Sequence, residues 1–137
     1  MPYPYSAVSS DGKRVAYKSD TELVIMESET GRLVKRFTLP RGTGFLGGWS
    51  PDCRQLGFGG WNADDLMPCL IMDVDTGQAA KVAPRCLTLP GWSPDGKQIA
   101  FDLRLTTGTE IWLFDAAALR TLPTFQLSER PTGEETK

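Results

Sequence analysis

The sequence predicts an all-β protein of three four-stranded sheets that stack by repetition, as the blades of a β-propeller do. Three observations predict it. A turn motif recurs as SSDG at 9–12, SPDC at 50–53 and SPDG at 93–96, so that Ser10, Pro51 and Pro94 are spaced by 41 and 43 residues. Each turn is followed by a short segment alternating large and small residues, then by a continuous apolar run. No segment carries a 3.6-residue apolar period, which sets aside helical-pair repeats of similar length.

The first strand of each copy ends at Val8, Trp49 or Trp92. The turn comes next. Ser93-Pro94-Asp95-Gly96 suits a type I turn, with Ser at the first position, Pro preset at the second and Gly at the fourth. A Gly there takes positive φ and forms a bulge that matches strand twist. Cys53 holds this position in the second copy, where a left-handed backbone costs about 1–2 kcal/mol. The first copy, with Ser10 for Pro and Val8 for Trp, is the degenerate one.

The second strand reads RVAY, QLGF or QIAF. Val15 and Tyr17, Leu56 and Phe58, and Ile99 and Phe101 fall on one face by the period of two; Ala16, Gly57 and Ala100 fall on the other. Small apolar residues there, in place of charge, imply a neighbouring layer on both faces. The third strand is the apolar run LVIM (23–26), LIM (70–72) or IWLF (111–114), expected to be buried on both faces and stopping at Glu27, Asp73 or Asp115. The fourth segment, at 32–39, 78–83 and 119–125, is more polar, with Pro123 inside the last copy, and suits an edge strand. The expected blades span about 3–40, 44–84 and 87–127, which makes 1–127 propeller and leaves the polar SERPTGEETK, 128–137, as a disordered tail.

GWSPDGKQIAF…IWLFD and GWSPDCRQLGF…LIMDVDTG resemble the WD40-like, TolB-like propeller repeat with its W-S-P-D-G signature, which also resembles blades of prolyl oligopeptidase-type propellers. The resemblance covers roughly 5–127. It implies a ring of six blades, of which this chain holds half. Three blades leave two apolar blade faces open. The expected solutions are a homodimer that closes the ring, or the remaining blades of a longer propeller.

Composition excludes several classes. Fifteen basic and 17 acidic residues give a net charge of −2, with no basic footprint for nucleic acid. No apolar run approaches the roughly 18 residues that span a membrane. MPYPYSAVSSDGKR is not a signal peptide, so the chain as it stands reads as cytoplasmic; as a fragment of a TolB-like precursor it reads as periplasmic. Cys53, Cys69 and Cys86 match neither a disulfide framework nor a zinc site and read as free, packed thiols. GTGFLGG (42–48) contains G-x-G-x-x-G but leads into a strand, not a helix, so crowded backbone explains it better than a dinucleotide. DVDTG (73–77) imitates the start of a calcium loop but has Pro84 at position 12. No cofactor and no metal are expected.

The candidate partner site is GGWNADDLMPC, 59–69, the longest hairpin insertion, on the end that carries the blade-to-blade connections. Trp61 with Asn62, Asp64 and Asp65 suits an aromatic anchor with acidic neighbours, or a Trp packed over the next blade among solvating acids. Arg41, Arg85 and Arg104 suit carboxylate capture at the same end, or pairing with Asp64 and Asp65. With no histidine and no G-x-S-x-G elbow, catalysis has no footing in these residues. The sequence therefore reads as a non-catalytic scaffold for an unknown protein partner. The alternative is a substrate-gating or carbohydrate-binding propeller portion of a larger enzyme, such as a prolyl oligopeptidase-type peptidase.

Overall fold

The computed structural model describes residues 6–62, 65–86, 90–105 and 107–132. They form β1 (Ser6–Val8), β2 (Arg14–Lys18), β3 (Glu22–Glu27), β4 (Leu33–Thr38), β5 (Phe45–Trp49), β6 (Gln55–Gly59), β7 (Trp61–Asn62), β8 (Asp65–Asp73), β9 (Gln78–Cys86), β10 (Gly91–Trp92), β11 (Gln98–Leu105) and β12 (Gly108–Asp115). A short 3-10 helix (Ala116–Thr121), β13 (Thr124–Gln126) and β14 (Ser128–Arg130) complete them. The protein is all-β, in antiparallel sheets, with the β-propeller arrangement the sequence predicts. Among the described residues no helix is long and apolar enough to cross a membrane.

Each recurring turn is braced by the same two side chains. Ser9, Ser50 and Ser93 donate Oγ–H to Oδ1 of Asp11, Asp52 and Asp95 at 2.5–2.6 Å. The carboxylate then accepts the amide N–H two residues on, from Lys13, Arg54 or Lys97. The serine oxygen accepts the N–H of Arg14, Gln55 or Gln98, the first residue or so of the second strand. The N–H groups of the last turn residues and the first strand residue are thereby satisfied by side chains of the turn. The fourth residue is left-handed in all three turns, with φ of 74° at Gly12, 63° at Cys53 and 74° at Gly96. Cys53 accepts that strain where the turns meet: its Sγ lies 3.2 Å from Ser10 Oγ.

The sheets stack through two cores. Leu23, Ile25 and Phe37 of the first sheet meet Leu46, Leu56, Phe58 and Met72 of the second. Cys69, Ala83 and Cys86 of the second meet Phe101 of the third, with Phe114 packed alongside. All three cysteines are free and buried. The Trp49 indole N–H donates to the Ala7 carbonyl of the preceding sheet at 2.9 Å. Trp92 Nε1 is buried and has no hydrogen-bond partner among the described residues. The position equivalent to Ala7 is Gly48, and it falls where the β5–β6 register shifts.

The third sheet departs from expectation. Among the described residues it has strands β10, β11 and β12, and 119–125 is not its fourth strand. The cause is local. Gly31 and Gly77 sit four residues after Glu27 and Asp73, adopt φ of 75° and 79°, and close the turn that sends the chain back. The third copy has Leu119 there, in AAALRT, and a left-handed Leu is strained. The chain runs on instead as the 3-10 helix, its N-terminus capped by Asp115, whose Oδ1 accepts the Ala117 N–H. It then leaves blade three. β13 pairs with β9, and β14 pairs with β4. The expected disordered tail is corrected accordingly: Ser128–Arg130 is a strand, and 133–137 lie outside the described residues. The exposed run Ile111, Trp112 and Leu113 likewise corrects the expectation of a third strand buried on both faces.

This C-terminal strap is anchored by Leu127. Its side chain is buried in the first core beside Phe37 and Met72, and its N–H donates to Gly77 O. Arg36 fastens the far end, donating to the Pro131 carbonyl and pairing with Glu22 at 2.6 Å.

Three outcomes are expected. Leu127→Ala destabilises the protein by about 2–4 kcal/mol in chemical unfolding and raises amide exchange across 124–130. Cys53→Gly relieves the left-handed strain and adds about 1 kcal/mol, whereas Cys53→Ala, which keeps the strain, does not. The Ser9 hydroxyl and the Lys13 N–H hold the Asp11 carboxyl below its usual 3.8, and Ser93 and Lys97 do the same for Asp95. A carboxyl lowered on folding adds stability that is present above its unfolded pKa and lost as pH falls through the folded one. The denaturation midpoint should therefore drop as pH falls below about 4, and Asp95→Asn should flatten that slope.

Candidate functional site

Strand direction divides the molecule into two ends. One carries the Ser-Asp turns. The other carries the hairpins from second to third strands and the links between sheets. The sequence-predicted residues all belong to the second end by chain position. The Pro40–Gly44 link joins β4 to β5, and Thr43 ties it back to the Pro40 carbonyl through both its N–H and its hydroxyl. Arg41 sits exposed in this link. Gly44 follows, so close to Gly59 that a Cβ would lie 2.6 Å from the Gly59 carbonyl oxygen. Glycine here permits backbone contact at the start of β5, which is the structural reading of the G-x-G-x-x-G run.

Within the 59–69 insertion, β7 pairs antiparallel with the start of β8. Gly60, at φ 93°, turns the chain out of β6. Trp61 then pairs with Leu66, and Asn62 with Asp65. Backbone pairing thus places Trp61, Asn62 and Asp65 on one projecting ribbon, and Asp64 lies outside the described residues. Arg85 is exposed near the end of β9, next to Cys86, which pairs with Met67 at the base of that ribbon. Arg104 pairs with Thr109 at the tip of the β11–β12 hairpin. The six described residues of this set therefore belong to one end by backbone position but spread radially. Arg85 is on an outer strand, whereas Arg41 is on the link to an inner one.

Sequence reasoning missed Lys18 at this end. It is buried at the close of β2, and Nζ donates to Ser19 O at 3.2 Å. Burial pushes its ammonium pKa below the usual 10.5, against the pull of Asp20. The signal available was positional: Lys18 continues the Ala16 face, where the second copy has Gly59. Cys69 and Cys86 are a buried pair of thiols in contact. Their mutual contact, with burial, pushes the Cys69 thiol up.

The opposite end holds an open cleft of about 770 Å³ bounded by Asp52, Ser93, Asp95, Lys97, Asp115 and Arg120. Its carboxylates are occupied by turn and cap N–H groups. The DVDTG segment is used in the same way: Asp73 Oδ1 accepts the N–H groups of Asp75 and Thr76, and Arg54 reaches both Asp73 and Asp75.

Comparison with known proteins gives the chain a context. No protein-family model matches it. It is 34% identical, over 119 aligned residues, to the uncharacterized peptidase YuxL of Bacillus subtilis strain 168, an alignment spanning 74% of this chain and 17% of that protein. Its structure is similar to the β-propeller domain of the trilobed protease of Pyrococcus furiosus, with a TM-score of 0.58 and 16% identity, over 93% of this chain and 42% of that one. A putative TolB from Agrobacterium tumefaciens matches at a TM-score of 0.48 and 19% identity, over 88% of this chain and 60% of that one. The chain thus spans about a sixth of its sequence relative and less than half of the protease propeller. The expectation that the protein is not an enzyme is corrected toward a peptidase-related protein, because the sequence relative bears the name of a peptidase. The fold itself is that of a β-propeller.

Proposed function

We propose that the chain is the propeller portion of a peptidase-type enzyme, and that it governs access of substrate to a hydrolytic centre outside its own residues. The observation that carries this reading is the 34% identity to a named peptidase, in a region that is propeller in this chain. The likeness to a protease's propeller agrees with it in fold. The chain's chemistry agrees as well. It has no histidine, so the general base of peptide hydrolysis comes from elsewhere. What it does offer is an end with the paired backbone of Trp61–Asn62 and Asp65–Leu66 and exposed arginines at Arg41 and Arg85. Such groups suit the carboxylates of a peptide or of an adjoining domain.

The test uses the protein as cells make it. Native material is captured with an antibody raised to this chain and treated with a fluorophosphonate probe for active serine hydrolases. The expected result is label on the captured polypeptide, or on one held stoichiometrically with it. Capture of the intact species with no label, and with no hydrolysis of short peptides, overturns the reading. Arg41→Glu with Arg85→Glu should lower kcat/KM for peptides several-fold while leaving the unfolding midpoint unchanged.

A further inference from the structure

The three sheets pack by one rule, and among the described residues one face at each end of the stack lies open. On the second strands, Ala16, Gly57 and Ala100 share a face with their cross-strand partners Ile25, Ile71 and Leu113. In the first sheet this face receives Trp49 of the next sheet, and Ala16 and Ile25 are fully buried. In the second it receives Pro90 and Trp92. A Cβ on Gly57 would lie 2.8 Å from Pro90 Cγ and 3.4 Å from the Trp92 ring. In the third sheet the same face receives nothing among the described residues. Leu113 is 62% exposed, and Ile111, two residues along on that face, is 76% exposed.

The opposite faces show the complementary half of the rule. Leu56 and Phe58 of the second sheet press on the first, and Ile99 and Phe101 of the third press on the second; all four are buried. Their equivalents in the first sheet are Val15 and Tyr17. Tyr17 is 46% exposed, and Val8, which pairs with Val15, is 60% exposed.

We propose that a second copy of this chain covers both faces: the third sheet of each copy packs on the first sheet of the other, closing a ring of six sheets about a two-fold axis. Each chain has one open face that receives and one open face that inserts, which is what closure in pairs requires. The strap following β12 is committed to β9 and β4, so it does not cover Leu113. The chain also matches a little under half of a protease's propeller chain, so two copies supply about one ring. This goes beyond the peptidase reading and is tested apart from it: mass reports ring closure, whereas the probe reports a hydrolase.

Light scattering after size exclusion should give twice the 15.1 kDa of the chain. Leu113→Asp and Val8→Asp, each on an exposed position, should each give a folded monomer by circular dichroism and mass. Mixing the two variants should restore a dimer-sized species, because one intact contact forms between them. Val8→Trp, which installs the residue found at positions 49 and 92, should tighten the dimer about tenfold. A wild-type monomer overturns the proposal. So does a Val8→Asp variant that still dimerises, since that would mean like faces meet.

Discussion

A small residue in the middle of each second strand sets the distance between sheets, and the rest of the structure follows from it. Ala16 and Gly57 leave room for an indole from the next sheet. A larger side chain would hold the sheets apart and expose both cores. The Trp that fills the space cannot come from the same sheet, because it ends a first strand whose own second strand faces away from it. Each sheet therefore depends on its neighbour for burial, and the packing is directional. Directionality explains why the described sheets have two unlike open faces, one at each end of the stack, and why Val8, a small residue where the other copies have Trp, is exposed at one of them.

The Ser-Asp braces make this packing repeatable. Three turns of different sequence, SSDG, SPDC and SPDG, have the same hydrogen bonds within 0.2 Å. The brace fixes the angle at which the first strand enters the second, and so the direction in which Trp49 and Trp92 point. Neither Pro nor Gly is indispensable to it. Ser10 replaces Pro without loss of the bonds, and Cys53 replaces Gly at the cost of a left-handed backbone. The serine and the aspartate recur in every copy because they satisfy the donors that the turn leaves open.

The sequence was legible wherever a residue's role was local. Strand alternation, the turns, the strain at Cys53 and the crowding at Gly44 are all consequences of near neighbours, and each appears in the structure as the residues indicate. It was misleading at 111–130, where local identity conflicts with context. IWLF looks as buried as LVIM, yet it lies open because its covering layer is not among the described residues. LRTLPTF looks like an edge strand, yet it cannot return to β12, because Leu119 stands where the left-handed glycine is needed. The Leu127 anchor was invisible for the same reason: one leucine in a polar tail carries no periodic signal, and only the groove between β4 and β9 gives it a partner. Chain direction assigns Trp61, Arg41, Arg85 and Arg104 to one end without gathering them into a site. Lys18 was not legible there, because it reads as an ordinary surface charge until its burial is known.

The diverted strap has a mechanical consequence. In the first two sheets the fourth strand pairs within its own sheet and contributes side chains to the contact with the next one, Phe37 from β4 and Ala83 and Cys86 from β9. Here the corresponding segment crosses from the third sheet to the outer strands of the second and first, with Leu127 wedged between them. The first two sheets are then joined at two places: along the core by Leu46, Phe58 and Phe37, and along the rim by the strap. The third sheet is held on the second by a thinner core of cysteine and alanine side chains under Phe101. It also carries an apolar third strand with one unpaired edge among the described residues, and such an edge invites pairing with other chains. Stability is therefore distributed unevenly along the arc. The first two sheets form the firm part, and the third depends more on what packs against Leu113. Any partner that covers that face stabilises the whole arc by binding its weakest member. Ring completion and folding of the third sheet are thus coupled.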